Sequence, residues 1–362
     1  MKWSLKLGRF AGIDVFVHWT FVLLLGWIFV AQLGAGGDAV TALRAVAFLL
    51  LLFGCVVLHE YGHALTARRY GIRTRDITLL PIGGVARLER MPENPRQELW
   101  VSLAGPAVNL AIAAALFVAL LVVHGRAPIE TDLLRGDFVA RLMSVNVFLA
   151  LFNLLPAFPM DGGRVLRAVL ASRLGRRRAT QVAANVGQAM AILFGAFGFF
   201  VVGNPFLIFI AIFVYLGAQG EAQMVELTSF IRGLEVRDAM QTRFRTLSAT
   251  DALGVAVDQL LAGSQQDFPV LDGTNVAGIL RRQDLVKALS EHGRSASVGS
   301  AMCRECDPVP AHEPLERAFE KLQQRGCTAV PVLEDNRLVG LLTLENISEL
   351  VMVNSALEKN SR

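Results

Sequence analysis

Ala45–Leu58 is fourteen residues without a charge, and it runs straight into His59-Glu60-Tyr61-Gly62-His63. An apolar run of this kind, continued through Thr66, is long enough to cross a bilayer as a helix. Ionisable side chains at that depth are costly and mark function. Histidines four apart share one face of a helix. Neutral imidazoles so placed suit Zn²⁺, and the glutamate between them suits a general base acting on metal-activated water. A core helix with incidental histidines is the other reading, and the apolar setting weighs against it.

Composition divides the chain. Hydrophobic residues make up 53% of 362, with a mean hydropathy of +0.47. That is too apolar for one soluble globule, yet the C-terminal third is too charged for membrane. The change falls near Ser229. The net charge of +4 comes without a basic stripe interleaved with aromatics, which excludes a nucleic-acid partner. Cysteines stand at 55, 303, 306 and 327. Cys303 and Cys306 form a CxxC without a second pair or a nearby histidine, a weak metal signal, so reduced thiols are expected. The basic lead-in Lys2, Lys6, Arg9 has no small-residue cleavage site after it, so no cleaved signal peptide is expected.

Six apolar segments suggest six spans: Val15–Leu33, Thr41–Thr66, Leu99–His124, Phe138–Leu155, Val186–Val202 and Phe206–Ala222. Basic residues set the orientation. Lys2, Lys6 and Arg9 precede the first span. Arg68, Arg69, Arg73, Arg75, Arg87, Arg90 and Arg96 follow the second; Arg164, Arg167, Arg173, Arg176, Arg177 and Arg178 follow the fourth. Six spans put all three groups in the cytosol. The loop after His124 mixes Arg126, Arg135 and Arg141 with Glu130, Asp132 and Asp137. His59 then lies about 8 Å inside the cytosolic edge of a ~30 Å hydrocarbon core.

Two histidines need a third ligand. Asp161, in Asn153-Leu-Leu-Pro-Ala-Phe-Pro-Met-Asp-Gly-Gly-Arg164, ends the fourth span at matching depth. Pro156 and Pro159 break the helix there, so Asp161 is expected to project from irregular backbone, tolerated only inside protein or beside a wet cavity.

HExxH in one span and NxxPxxPxDG after a later one resemble the site-2 protease family of intramembrane zinc metalloproteases, over Leu7–Gln223. The resemblance implies a single zinc ion on His59, His63 and Asp161, with Glu60 as catalytic base. Gly105-Pro-Ala-Val-Asn109 also looks like a family element. It makes Asn109 and Asn153 candidate supports for a substrate carbonyl or oxyanion; helix–helix hydrogen bonding is the alternative. Ile77–Leu88 reads as a short hairpin. In the family such strands lie beside the metal, so Gly83, Gly84 and Val85 are candidates to pair with an extended substrate. His18, beside Trp19, reads as interfacial.

From Leu234 the chain repeats. Val236-Arg-Asp-Ala-Met240 returns 62 residues later as Val298-Gly-Ser-Ala-Met302. Each unit continues with a helix, a strand (Asp267–Leu271; Thr328–Leu333), and a strand followed by a helix. This resembles a tandem pair of cystathionine-β-synthase (CBS) domains over Leu234–Met352. The family often binds adenine nucleotides (ATP, ADP or AMP) through G-h-h-[ST]-x-x-[DN]. Thr343 and Asn346 match in the second repeat. The first has Arg281 at the hydroxyl position but keeps Asp284. A ligand-free dimerisation module is the alternative.

The expected fold class is a polytopic α-helical membrane protein of about six spans with a short membrane-associated β-hairpin, plus a soluble α/β tandem CBS module. The expected division is a protease domain over 1–223, a linker over 224–233, CBS domains over 234–292 and 293–354, and a tail over 355–362. The expected function is hydrolysis of peptide bonds within or near the membrane-spanning segment of protein substrates, with nucleotide regulation at the CBS pair. Expected partners are a membrane-spanning substrate, the lipid bilayer and a second copy through the CBS pair. The expected location is the cell membrane, multi-pass, with both termini and the CBS module cytosolic. A CBS-containing transporter or channel and a non-proteolytic zinc-binding membrane regulator are the alternatives.

Overall fold

The computed structural model describes residues 4–89, 91–124, 138–325 and 327–360. Lys2, Arg90, Arg126, Glu130, Asp132, Arg135 and Asp137 lie outside them. The chain forms two compact units, Met1–Gln223 and Met224–Arg362.

The first unit opens with strands rather than a helix. β1 (Ser4–Phe10) turns at Ala11 and Gly12, both at positive φ (51° and 85°), into β2 (Ile13–His18). Positive φ at both turn residues matches the twist of a tight hairpin. The span expected from Val15 is therefore strand as far as His18, and α1 covers Trp19–Gly34. Alternation of Ile13, Val15 and Val17 with polar or aromatic neighbours outweighed the apolar run that follows. α2 (Ala39–Arg69) returns the chain to β3 (Thr74–Leu80), parallel to β2, and β3 turns at Pro81-Ile82 into antiparallel β4 (Gly83–Leu88). The sheet order is β1-β2-β3-β4, so β4 is an edge. The buried face of the sheet rests on α2 and the start of α1: Ile13 and Ile77 pack on Ala64 of α2, and Val17 and Leu79 on Phe21 of α1 and Phe53 of α2.

α3 (Pro95–His124) and α4 (Phe138–Asn153) follow, then α5 (Asp161–Leu174), α6 (Arg176–Phe197) and α7 (Pro205–Ile231). α5 replaces part of the expected basic loop. Among the described residues, four helices are long and apolar enough to span a membrane: Ala39–Arg69, Pro95–Val123, Arg176–Val202 and Pro205–Ile231. α1 and α4 have sixteen residues each. Their rise of about 24 Å falls short of a ~30 Å core. Outward faces are apolar: Trp27 is 71%, Val122 76% and Phe200 80% exposed, a kind of surface that monomeric soluble proteins rarely show. The break after α4 is buried between helices. Ala157 and Met160 pack on Ala191 of α6 and Val214 of α7; Phe158 packs on Ala183, Ala184 and Ala218.

α7 continues to Ile231, through most of the residues expected as a linker. The second unit builds one pattern twice. β5 (Leu247–Ser248) leads through α8 (Leu253–Leu261) to parallel β6 (Phe268–Asp272), antiparallel β7 (Asn275–Leu280) and α9 (Arg282–His292). After the short α10 (Val298–Ala301) come β8 (Val309–Pro310), α11 (Leu315–Arg325), β9 (Ala329–Glu334), β10 (Arg337–Thr343) and α12 (Leu344–Asn360). The central strands carry the core: Phe268, Val270 and Val332 are wholly buried. The cysteines differ from expectation. Cys306 and Cys327 are joined as a disulfide, 21 residues apart, with the Cys303 sulfur 3.8 Å from that of Cys306. The repeat fold brings the start of β9 beside the loop after α10, a proximity that spacing alone does not reveal.

Truncating Phe268 to Ala removes a ring from the middle of one repeat. It is expected to lower stability by about 3–5 kcal/mol, read as a lower denaturant midpoint for this unit in the full chain.

Candidate metal centre

α2 presents His59, Glu60 and His63 where its apolar run ends. Gly62 and Gly105 make room. A Cβ on Gly62 would lie 2.7 Å from the Ala104 carbonyl, and one on Gly105 would lie 2.2 Å from His63 Nε2. α3 therefore presses its backbone against the two imidazoles.

That contact fixes the rings. His59 Nδ1 lies 3.0 Å from Asn109 Oδ1, and His63 Nδ1 lies 2.7 Å from the Val101 carbonyl. Carbonyl oxygens only accept, so each Nδ1 donates and each Nε2 is left with its lone pair. The two Nε2 atoms face one another at 3.1 Å. Asp161 Oδ2 sits 3.2 Å from His59 Nε2 and 3.0 Å from His63 Nε2. All three residues are buried. A proton bridges only one of these three contacts; a cation at the centre satisfies all of them. Four-coordinate zinc with bonds of about 2.0–2.1 Å sets its ligand atoms roughly 3.3 Å apart. The donor set fits that ion by type and by spacing.

Asp161 is the first residue of α5, not part of irregular backbone. The Gly pair after it lets the first turn sit on the preceding loop: a Cβ on Gly162 would meet the Leu155 carbonyl at 2.2 Å. Asp161 Oδ1 faces Arg164 Nη1 at 3.9 Å.

Glu60 points from the metal side toward the sheet. Its Oε2 accepts from the Ala86 backbone N–H of β4 at 3.2 Å, and a Cβ on Gly84 would lie 2.9 Å from its Cγ. Gly83, Gly84 and Val85 thus lie on the edge strand that passes the carboxylate, with Gly84 and Val85 paired to Leu79 and Thr78.

Other expected residues are placed differently. For Asn109 the structure shows the alternative of a hydrogen bond between helices: its side chain on α3 engages His59 of α2. Asn153 donates to the Leu149 carbonyl of its own helix at 3.0 Å, a bond within the helix and not across helices. His18 caps α1, accepting from the Thr20 N–H. In the second unit, Thr343 donates to Asn346 Oδ1 at 2.8 Å and accepts from the Asn346 N–H at 3.0 Å, capping the start of α12. Both line a cavity of about 460 Å³. Its described lining includes Asp267, Glu345 and Glu349 and no Lys or Arg. Asp284 is held by Arg281, whose Nε donates to it at 2.5 Å; that bond raises the guanidinium pKa further. The Val101 carbonyl and Arg164 were missed. A backbone acceptor has no sequence signature, and Arg164 was read as one loop charge among several.

The chain matches the family model Peptidase family M50 over residues 47–194 and the CBS domain model over 236–291 and 298–353. It is 34% identical to a zinc metalloprotease of Methanocaldococcus jannaschii, over 96% of this chain and 96% of that protein. It is 27% identical to stage IV sporulation protein FB of Bacillus subtilis, over 44% of this chain and 52% of that one. Among solved structures, the site-2 protease from Methanocaldococcus jannaschii shares 37% identity over 61% of this chain and 95% of that chain, with a TM-score of 0.44.

Gly105→Ala inserts a methyl against both Nε2 atoms. Zinc retained by the purified protein is expected to fall at least about tenfold, measured by elemental analysis, with helix content unchanged by circular dichroism.

Proposed function

We propose that this chain, which belongs to peptidase family M50 and is a zinc metalloprotease of the site-2 type, cuts a peptide bond within or beside the membrane-spanning segment of another protein. The observation that carries this reading is the convergence of three electron-pair donors at the end of an apolar helix, with a carboxylate between that centre and a free strand edge.

His59, His63 and Asp161 are the ligands in this reading. Zinc, when bound, supplies Lewis acidity that polarises a carbonyl and makes water easier to deprotonate. Glu60 takes the proton from the attacking water and delivers it to the leaving amide nitrogen. Asn109 and the Val101 carbonyl hold the imidazoles in the tautomer that binds metal. A substrate helix hides its carbonyls in its own hydrogen bonds, so it must open before attack. An opened segment laid along Gly83, Gly84 and Val85 replaces those bonds with strand pairing and brings a carbonyl past Glu60. Asn153 has no part in this reading as the side chain stands.

We place the unit in the membrane with α1 and α4 as short spans among four long ones. That arrangement puts the basic segments, both termini and the CBS pair on the cytosolic side. The apolar groove between α6 and α7, about 480 Å³ and lined by residues such as Ile192, Phe199, Ile212 and Leu216, suits an approach from lipid. A transporter has no use for Glu60 beside a metal-ligand set, and neither does a structural zinc site.

The cavity beside Thr343 and Asn346 is the nucleotide site in this reading. Three carboxylates and no described cation disfavour a polyphosphate, so an adenine nucleoside suits it better than ATP. A second copy pairing through the CBS unit would carry its effect.

With a single-span model substrate, Glu60→Gln is expected to keep zinc and lose cleavage by about 10²–10⁴-fold; equal cleavage by the two proteins would overturn the reading. Asp161→Ala is expected to lose the metal, and unchanged metal content would remove Asp161 from the ligand set. By calorimetry on the full chain, adenosine is expected to bind at least about tenfold more tightly than ATP, with Glu349→Lys narrowing the gap.

A further inference from the structure

A wholly buried arginine joins the parts of the metal centre to one another. Arg167 of α5 has no exposed surface. Its Nε donates to Glu98 Oε1 at 2.8 Å, its Nη2 lies 2.5 Å from the same oxygen, and its Nη1 donates to Glu221 Oε1. Its guanidinium lies over the Phe158 ring, 5.1 Å from the centroid. Arg176 adds a second cation, 4.0 Å from Glu98 Oε2 and bonded to the Pro92 carbonyl.

A buried ion pair is a poor source of stability, because desolvation cancels much of the attraction. Its best use is to specify one arrangement over others. Two of the three contacts of Arg167, Glu98 and Phe158, fall on segments that carry or lead into the metal centre. Glu98 belongs to α3, three residues before Val101, whose carbonyl holds His63. The same helix offers Asn109 to His59. Phe158 belongs to the loop that leads into Asp161, and α5 begins with Asp161 itself. The metal centre needs α3, which orients the histidines, in fixed register with α5, which brings the aspartate. The planar guanidinium bridges the two and uses both edges and a face, which a lysine ammonium cannot do. Glu221 adds α7, the last helix of the unit.

We propose that Arg167 is a positioning residue of the metal centre: its pairing with Glu98 and Glu221, stacked on Phe158, sets the register between α3 and α5 and so the distance from Asp161 Oδ2 to the two imidazoles. This rests on His59, His63 and Asp161 being the zinc ligands.

The test compares three full-length proteins: wild type, Arg167→Lys, and the neutral triple variant Arg167→Met/Glu98→Gln/Glu221→Gln. The triple variant removes the buried guanidinium together with both of its carboxylate partners and leaves Arg176, whose side chain is 34% exposed, on the Pro92 carbonyl, so it is expected to fold. Zinc affinity is read by chelator competition, and the zinc-induced rise in Tm by thermal unfolding. The triple variant is expected to bind zinc about 10–100-fold more weakly, the range for residues that hold metal ligands in place. Its zinc-induced Tm rise shrinks, and Arg167→Lys falls between. On a model substrate kcat falls while KM changes little. Variants that lose stability equally with and without zinc but bind it as wild type does would overturn the proposal. If the triple variant does not fold, Arg167→Lys and Glu221→Gln carry the same comparison, and wild-type zinc affinity in both overturns it. Wild type that binds no zinc overturns the metal-centre reading together with this one.

Discussion

Two imidazole lone pairs and a carboxylate oxygen lie within about 3 Å of one another inside apolar protein. They repel unless a cation lies among them, and much of the first unit serves to hold them against that repulsion. α3 supplies the acceptors that fix both tautomers, and Gly105 supplies the closeness. α5 begins on the third ligand, and α6 and α7 bury the loop that leads to it. The charges farther out, Arg167, Glu98 and Glu221, are arranged around the same joint. The donor set is thus held by contacts from several elements of the unit.

Glu60 faces two ways. One side looks to the ligands and the other accepts from Ala86 on the edge strand. Most edge strands are covered or blunted, because a free edge invites another strand. Here the free edge runs beside the one carboxylate placed for proton transfer. A helical substrate offers water no carbonyl, whereas an extended one offers a row of them. In the proposed reading the sheet on α2 takes part in the chemistry, since its edge favours an extended substrate beside Glu60.

The second unit shows how little a matching motif settles about a ligand. Thr343 and Asn346 satisfy the pattern, yet their side chains bond to each other and cap α12. Around them the cavity is acidic, which bears on ligand charge more than the motif does. In the first repeat Arg281 both breaks the pattern and occupies Asp284, the one member of it that survives.

By itself the sequence determined the family and the presence of a tandem CBS pair after it. Glu60 between two histidines, an apolar run before them, Asp161 after a proline-broken segment and a 62-residue repeat are all local or periodic, and local patterns are legible without coordinates. The first strand pair was not legible, because Val15–His18 continues into an apolar helix and the two periods blur at the join. The helical state of Asp161 was hidden by the prolines before it. Glu98 and Glu221 drew no notice in the sequence, because an acid within a helix gives no sign of which of many arginines it meets. Only the tertiary structure decided that Arg167 is the cation, that Asn109 serves a histidine rather than a substrate, and that β4 lies along Glu60. Those facts depend on groups that meet across separations of 26 to 69 residues, and packing, not spacing, brings them together.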